Sequence, residues 1–194
     1  IKQGIDKDSY LIPRDKNDDN SSYTMADAVF TACFLNAMNR NCDIVGMANF
    51  APILNTRGCI YSYKDGVVLR STYHVFDLYV NHMGDTVLDS WEEGEKNTFT
   101  VLDKNGRKVT VNTLDILATQ HSETEKISIA VVNKEPDKEK KLEICLDENS
   151  YARYEVQEYR IVGSSVDSYN DIDRTEVFIE QLLTKETSGV YQVN

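Results

Sequence analysis

No glutamate occurs in the first 91 residues; the first is Glu92. The 11 acidic side chains before it are all aspartates, set against 8 basic ones, whereas residues 92–194 hold 21 acidic and 13 basic. This change of composition divides the chain into two structural parts. Proline (3) and glycine (9) are scarce, and no tract is of low complexity. Collagen-like and linker-like chains are excluded, which leaves an ordinary globular protein. No apolar run approaches the ~20 residues that a membrane-spanning helix needs, and no amino-terminal stretch has the make-up of a signal peptide. The chain opens on Ile1 rather than methionine, so a processed product or a part of something longer is expected. Basic residues are the minority, and the net charge is −11. Phosphate binding and adhesion to an anionic membrane both call for a basic surface, so neither nucleic acid nor membrane is an expected partner. Cys33, Cys42, Cys59 and Cys145 show no CxxC or other metal spacing. Cys33 and Cys145 read as small core hydrophobes. Free thiols, a reducing cytoplasmic setting, no metal and no cofactor are the expectations.

Residues 1–23 are polar and irregular and read as a solvated loop; Asn20-Ser21-Ser22 fits a glycosylation sequon. Thr24 then opens a helix, with Asp27 where the helix dipole favours an anion. Residues 25–38 are apolar nearly all round, broken by Asp27 and Thr31, so this helix needs cover on most sides. Left alone, it should expose an unusually large apolar patch and self-associate. Residues 44–50, Ile-Val-Gly-Met-Ala-Asn-Phe, form a short continuous apolar run, as in a strand buried on both faces of a parallel sheet. A loop spans 51–66, with turn signals at Asn55, Gly58 and Asp65-Gly66. A second helix, about 70–83, carries Leu69, Tyr73, Phe76, Val80 and Met83 on one face, with Gly84 as its C-terminal cap. Helix, buried strand, loop, helix is the rhythm of an α/β fold.

From residue 86 the period changes. Asn105-Gly106 between Thr98–Asp103 and Lys108–Asn112 predicts a hairpin. Ile127, Ile129 and Val131 alternate with other residues, as do Leu142, Ile144 and Leu146. Tyr154 and Val156 are out of phase with Tyr159 and Ile161, which predicts a bulge between them. Further strands are expected at 176–181 and 189–194, and together these make an antiparallel sandwich.

Three segments, taken together, carry a resemblance. They are residues 23–36 (Tyr-Thr-Met-Ala-Asp-Ala-Val-Phe-Thr-Ala-Cys-Phe-Leu-Asn), 45–55 (Val-Gly-Met-Ala-Asn-Phe-Ala-Pro-Ile-Leu-Asn) and 69–79 (Leu-Arg-Ser-Thr-Tyr-His-Val-Phe-Asp-Leu-Tyr). In this order and spacing they resemble the end of the catalytic barrel of glycoside hydrolase family 51, the α-L-arabinofuranosidases. Residues 129–134 and 154–159 resemble strands of the sandwich that follows the barrel, so the resemblance covers about residues 23–180. It implies a mainly β fold: an antiparallel, jelly-roll-like β-sandwich preceded by two helices and one strand left over from the end of a (β/α)8 barrel. Residues 1–85 would be the barrel remnant and 86–194 the sandwich. Within the remnant, 24–40 would be the seventh barrel helix, 44–50 the eighth strand and 70–83 the eighth helix.

The resemblance also implies a retaining glycosidase that removes terminal arabinofuranose, and such enzymes use two carboxylates about 5–5.5 Å apart. Both would be glutamates of the barrel and expected upstream of Ile1, so no catalytic residue is assigned and the chain alone is expected to be inactive. Barrel sites lie at the C-terminal ends of strands, which makes Asn49, Asn55 and Arg57 the candidate substrate-binding residues. The alternative is that they only organise their loop. Many family members carry a sugar-contacting glutamine in this loop where this chain has Pro52. Glu92, Glu93 and Glu95 read as a solvated turn. His74 and His82, eight apart, are too far apart on one helix to share a metal, and His121 has no evident partner. The expected partner of the intact enzyme is an arabinose-containing oligo- or polysaccharide, and a homo-oligomer is expected. A second reading is a free-standing carbohydrate-binding β-sandwich, which exposed coplanar aromatics on a sandwich face would favour.

Overall fold

The computed structural model describes residues 19–93, 97–146 and 153–193. The expected loop over residues 1–18, Glu95 and Asn194 lie outside the described residues.

Helix α1 (Met25–Arg40) starts where the sequence signals it. The Asp27 carboxylate accepts from the Thr24 N–H at 2.8 Å. The first two helical N–H groups, of Met25 and Ala26, donate to the carbonyls of Ser168 and Val166 at 2.8 and 3.0 Å. Donors that a helix start leaves unpaired are thereby satisfied by a loop distant in sequence. The buried residues of α1 are Ala28, Ala32 and Asn36, each four apart. Small side chains on that stripe bring α1 close to helix α2 (Ser71–His82) and to two sheet strands. On its other side, Phe30 and Phe34 are 69% and 53% exposed and stack on one another at 6.0 Å. The apolar patch expected on this helix is present.

Residues 44–50 are not a strand. Ile44 and Met47 are each 79% exposed and Phe50 46%, and the segment has no ladder partner among the described residues. An apolar run becomes a doubly buried strand only where neighbours supply ladder bonds and cover; among the described residues no strand pairs with it, although Phe50 packs on Phe76 at 5.0 Å. The ordered pairing falls slightly later. Strands β1 (Ile60–Tyr63) and β2 (Gly66–Leu69) form a hairpin around Lys64-Asp65; β1 lies inside the 51–66 stretch expected to be loop, and β2 runs on from its end.

The rest is antiparallel and sandwich-like. Strand β3 (Thr86–Leu88) pairs with β6 (Leu114–Gln120), which pairs with β7 (Ile127–Asn133). The expected hairpin forms from β4 (Thr98–Leu102) and β5 (Lys108–Asn112), with Gly106 at φ 75°. Strand β8 (Leu142–Cys145) takes β13 (Val190–Val193) as partner. Strands β9 (Tyr154–Val156) and β10 (Tyr159–Val162) pair with β12 (Lys185–Thr187) and β11 (Phe178–Gln181) respectively. Two residues between β9 and β10 thus face three between β11 and β12. The irregularity falls at the predicted place, but the extra residue is on the partner strand rather than between Val156 and Tyr159.

Ala28, Ala32, Val75 and Val132 form the core, joined by Tyr79, Leu35 and Ile161 among others. Helices and sheet therefore share one interior. Gly84 serves this junction differently from the expected cap: Met83 is the C-cap. A Cβ on Gly84 would lie 2.7 Å from the His121 nitrogen and overlap the Gln120 carbonyl, so glycine is there to let two backbones touch. All four cysteines are free thiols. Cys33 packs against the core, and burial pushes its thiol pKa up. Cys145 is exposed on β8 rather than in the core; among the described residues β8 pairs with β13 alone.

Candidate functional site

Asn49, Asn55 and Arg57 all lie on the segment that runs from the unpaired 44–50 stretch into β1. Asn49 and Arg57 are exposed and Asn55 is half-buried. Asn55 and Thr56 adopt positive φ, 53° and 43°. The Asn55 side-chain oxygen accepts from the Ser62 N–H at 2.7 Å, and its carbonyl accepts from Gly58 N–H at 2.6 Å. This asparagine closes the turn, and asparagine is the residue that tolerates the left-handed region while bonding locally. Ala51-Pro52 is a cis peptide bond. An added Cβ on Gly58 would overlap the backbone of Ile53 and Leu54, so the loop folds back onto itself there.

What holds this loop from below is Arg70, which is wholly buried. Its Nη1 donates to the carbonyls of Thr56 and Gly58 at 3.0 and 2.6 Å, and its Nε donates to Asn20 Oδ1 at 2.8 Å. Asn20, also wholly buried, donates in turn to Asp171 at 2.7 Å. Burial of Asn20 leaves the sequon there closed to modification in this fold. The network joins the loop, the start of α2 and the far end of the chain. Asn170 adds a second tie, its side-chain amide donating to Leu69 and Val177 carbonyls at 2.8 and 2.7 Å. Sequence reasoning missed these residues. A lone arginine before a helix has no periodicity; its partner Asn20 is 50 residues away, and Asn170 reaches Leu69 across 101.

A second polar cluster joins α1 to β6. Asp115 accepts from Asn36 at 2.8 Å and from both terminal nitrogens of Arg40 at 2.8 and 3.1 Å. Burial opposes ionisation of Asp115, yet the Arg40 and Asn36 hydrogen bonds outweigh it and hold the carboxyl below its usual range. Tyr79 donates to the other end of Asn36 at 2.5 Å.

The three histidines separate. His74 is buried, and desolvation lowers its pKa although a bond to the Val177 backbone works the other way; its Nε2 has no hydrogen-bond partner among the described residues. His82 lies over Tyr159 at 4.3 Å. His121, expected to be unpartnered, bonds to the His82 carbonyl at 2.9 Å. No group of three metal-ligating side chains exists among the described residues. Near-parallel aromatic pairs occur at Phe30–Phe34 on α1 and Tyr61–Tyr63 on β1; among the described residues no such pair lies on the strands from β3 onward. Glu92 and Glu93 are exposed, as a solvated turn requires.

A family model described as the α-L-arabinofuranosidase C-terminal domain matches residues 7–191. The solved α-L-arabinofuranosidase of Thermotoga maritima, in complex with arabinose, is 26% identical with a TM-score of 0.77. The match covers 94% of this chain and 38% of that one. The thermostable family 51 α-L-arabinofuranosidase of Thermotoga petrophila RKU-1 is 25% identical with a TM-score of 0.75, over 94% and 38%. A family 51 enzyme of Bifidobacterium longum, 16% identical with a TM-score of 0.68 over 95% and 36%, shares the fold. The chain thus spans well under half the length of the solved relatives it matches. No curated protein matches.

Proposed function

Because the chain belongs to the α-L-arabinofuranosidase C-terminal domain family, we propose that it is the non-catalytic C-terminal part of a retaining α-L-arabinofuranosidase. The whole enzyme would cleave terminal arabinofuranose from arabinose-containing oligo- and polysaccharides, in the cytoplasm, as a homo-oligomer and without a cofactor. In this reading residues 1–85 complete the catalytic barrel and 86–194 buttress it. Asn49, Asn55 and Arg57 lie on the loop nearest the sugar, and Arg70 holds that loop in place.

The observation that carries the reading is the uncovered apolar face of α1. A helix with Phe30 and Phe34 mostly in water, beside an unpaired apolar segment at 44–50, is built to be covered by something. Water-exposed apolar surface of this kind marks an interaction face. The absence of glutamate from the first 91 residues supports a non-catalytic role for the part that resembles a barrel.

Hydrolysis of a chromogenic α-L-arabinofuranoside tests it. The chain alone is compared with the same chain preceded, in one polypeptide, by the unmatched part of the Thermotoga maritima enzyme. Activity in the fusion only is the expected result. Turnover by the chain alone would overturn the non-catalytic assignment.

A further inference from the structure

A cleft of about 230 Å³ beside the Asp115 cluster holds chemistry that the proposed function does not use. Arg40, Trp91, Asn112, Asp115 and Lys134 are among its lining residues. Trp91 is the sole tryptophan of the chain and is 74% exposed. Its Nε1–H already donates to Glu93 at 3.0 Å, so what it offers the cleft is the flat apolar face of the indole.

The rest of the lining includes a firmly held polar group. Asp115 is fixed by Arg40 and Asn36 as described, and Arg40 remains 40% exposed. The Lys134 backbone is anchored by its N–H to the Thr113 carbonyl at 2.7 Å. Its ammonium has no hydrogen-bond or ion-pair partner among the described residues, and the same holds for the Asn112 side-chain amide. Arg40 and Lys134 are offset by Asp115 and Glu92 around the same cleft, so neither an anion nor a cation meets a strong net field. A flat apolar face that lines the same cleft as hydrogen-bond donors, acceptors and charges of both signs matches a neutral, polyhydroxylated ring. Its C–H face can lie on the indole while its hydroxyls take the unused Lys134 and Asn112 groups.

We propose that this cleft is a binding subsite for a neutral carbohydrate, carried by the sheet part of the chain. It stands on the cleft alone and does not depend on the catalytic reading. A single bound sugar unit here would hold a chain substrate to the protein outside any catalytic pocket.

The sole tryptophan makes the test direct. Indole emission is followed while the intact chain is titrated with arabinotetraose, with xylotetraose, and with a galacturonic acid oligomer of the same length. The expected result is a saturable blue shift with at least one neutral sugar. Lys134→Ala and Asn112→Ala should each weaken that binding by about tenfold with an unchanged melting temperature. The proposal fails if neither neutral oligosaccharide gives a saturable shift, if the acidic oligomer binds more tightly than both, or if the two variants bind as the parent does.

Discussion

Tyr23 lies flat against Arg70, whose guanidinium carbon is 4.0 Å from the ring centroid, and both side chains reach the same carbonyl. The Tyr23 hydroxyl donates to Thr56 O at 2.7 Å and Arg70 Nη1 at 3.0 Å. A buried arginine that serves two loop carbonyls and Asn20 leaves several acceptors stranded if it is removed. Arg70→Ala should destabilise the chain by about 3 kcal/mol, measured by urea denaturation. Arg70→Lys should recover little of that, because an ammonium cannot span the Asn20 and loop carbonyl directions together.

Two glycines give opposite expectations. Gly84→Ala forces a methyl into the β6 backbone around Gln120 and should cost about 3 kcal/mol. Gly46 has nothing within 4 Å of its would-be Cβ. Gly46→Ala should leave stability unchanged or raise it by about 0.5 kcal/mol, through a less flexible unfolded chain. Paired thermal melts of the two variants decide it.

Acidification should weaken the fold through His74. Its folded pKa lies below the ordinary histidine value because burial disfavours the charged ring. The unfolded chain therefore binds the proton first. Stability is full above pH ~6.5 and falls as pH drops from there towards the lowered folded pKa. Desolvation and Lys126 lower His82 too, in the same sense. His74→Gln should flatten, without abolishing, the decline of the urea midpoint between neutral and mildly acidic pH.

The exposed phenylalanines on α1 should govern self-association. Replacing both, Phe30→Ser with Phe34→Ser, removes the stacked pair from the surface. Sedimentation velocity should show a shift towards monomer, with stability altered by no more than about 0.5 kcal/mol. An unchanged oligomer distribution would place the contact elsewhere.

Much of this architecture was legible in the chain. Both helices and the Asn105-Gly106 hairpin fall where local pattern puts them, and so does the break in register beside Val156 and Tyr159, though its extra residue is on the partner strand; turn chemistry and side-chain period act over a few residues. The run at 44–50 misled because hydrophobicity reports a demand for cover, not its supply. Cys145 misled for a related reason: alternation on β8 shows that two faces differ but not that a second layer sits over one of them. For the candidate loop, pattern located Asn55 and Gly58. It was blind to Arg70, Asn20 and Asn170, whose roles arise only when distant parts of the chain meet.

The grip of Asp115 on Asn36 and Arg40, with the shared interior of Ala32, Val75 and Val132 beneath it, bears on how the chain comes apart. Heat cannot peel α1 from the sheet without stranding a carboxylate and opening the core in one stroke. Helices and strands should therefore melt as one cooperative body, with a single calorimetric peak. A polypeptide severed between Met83 and Thr86 would yield two pieces, neither able to keep its shape without the other.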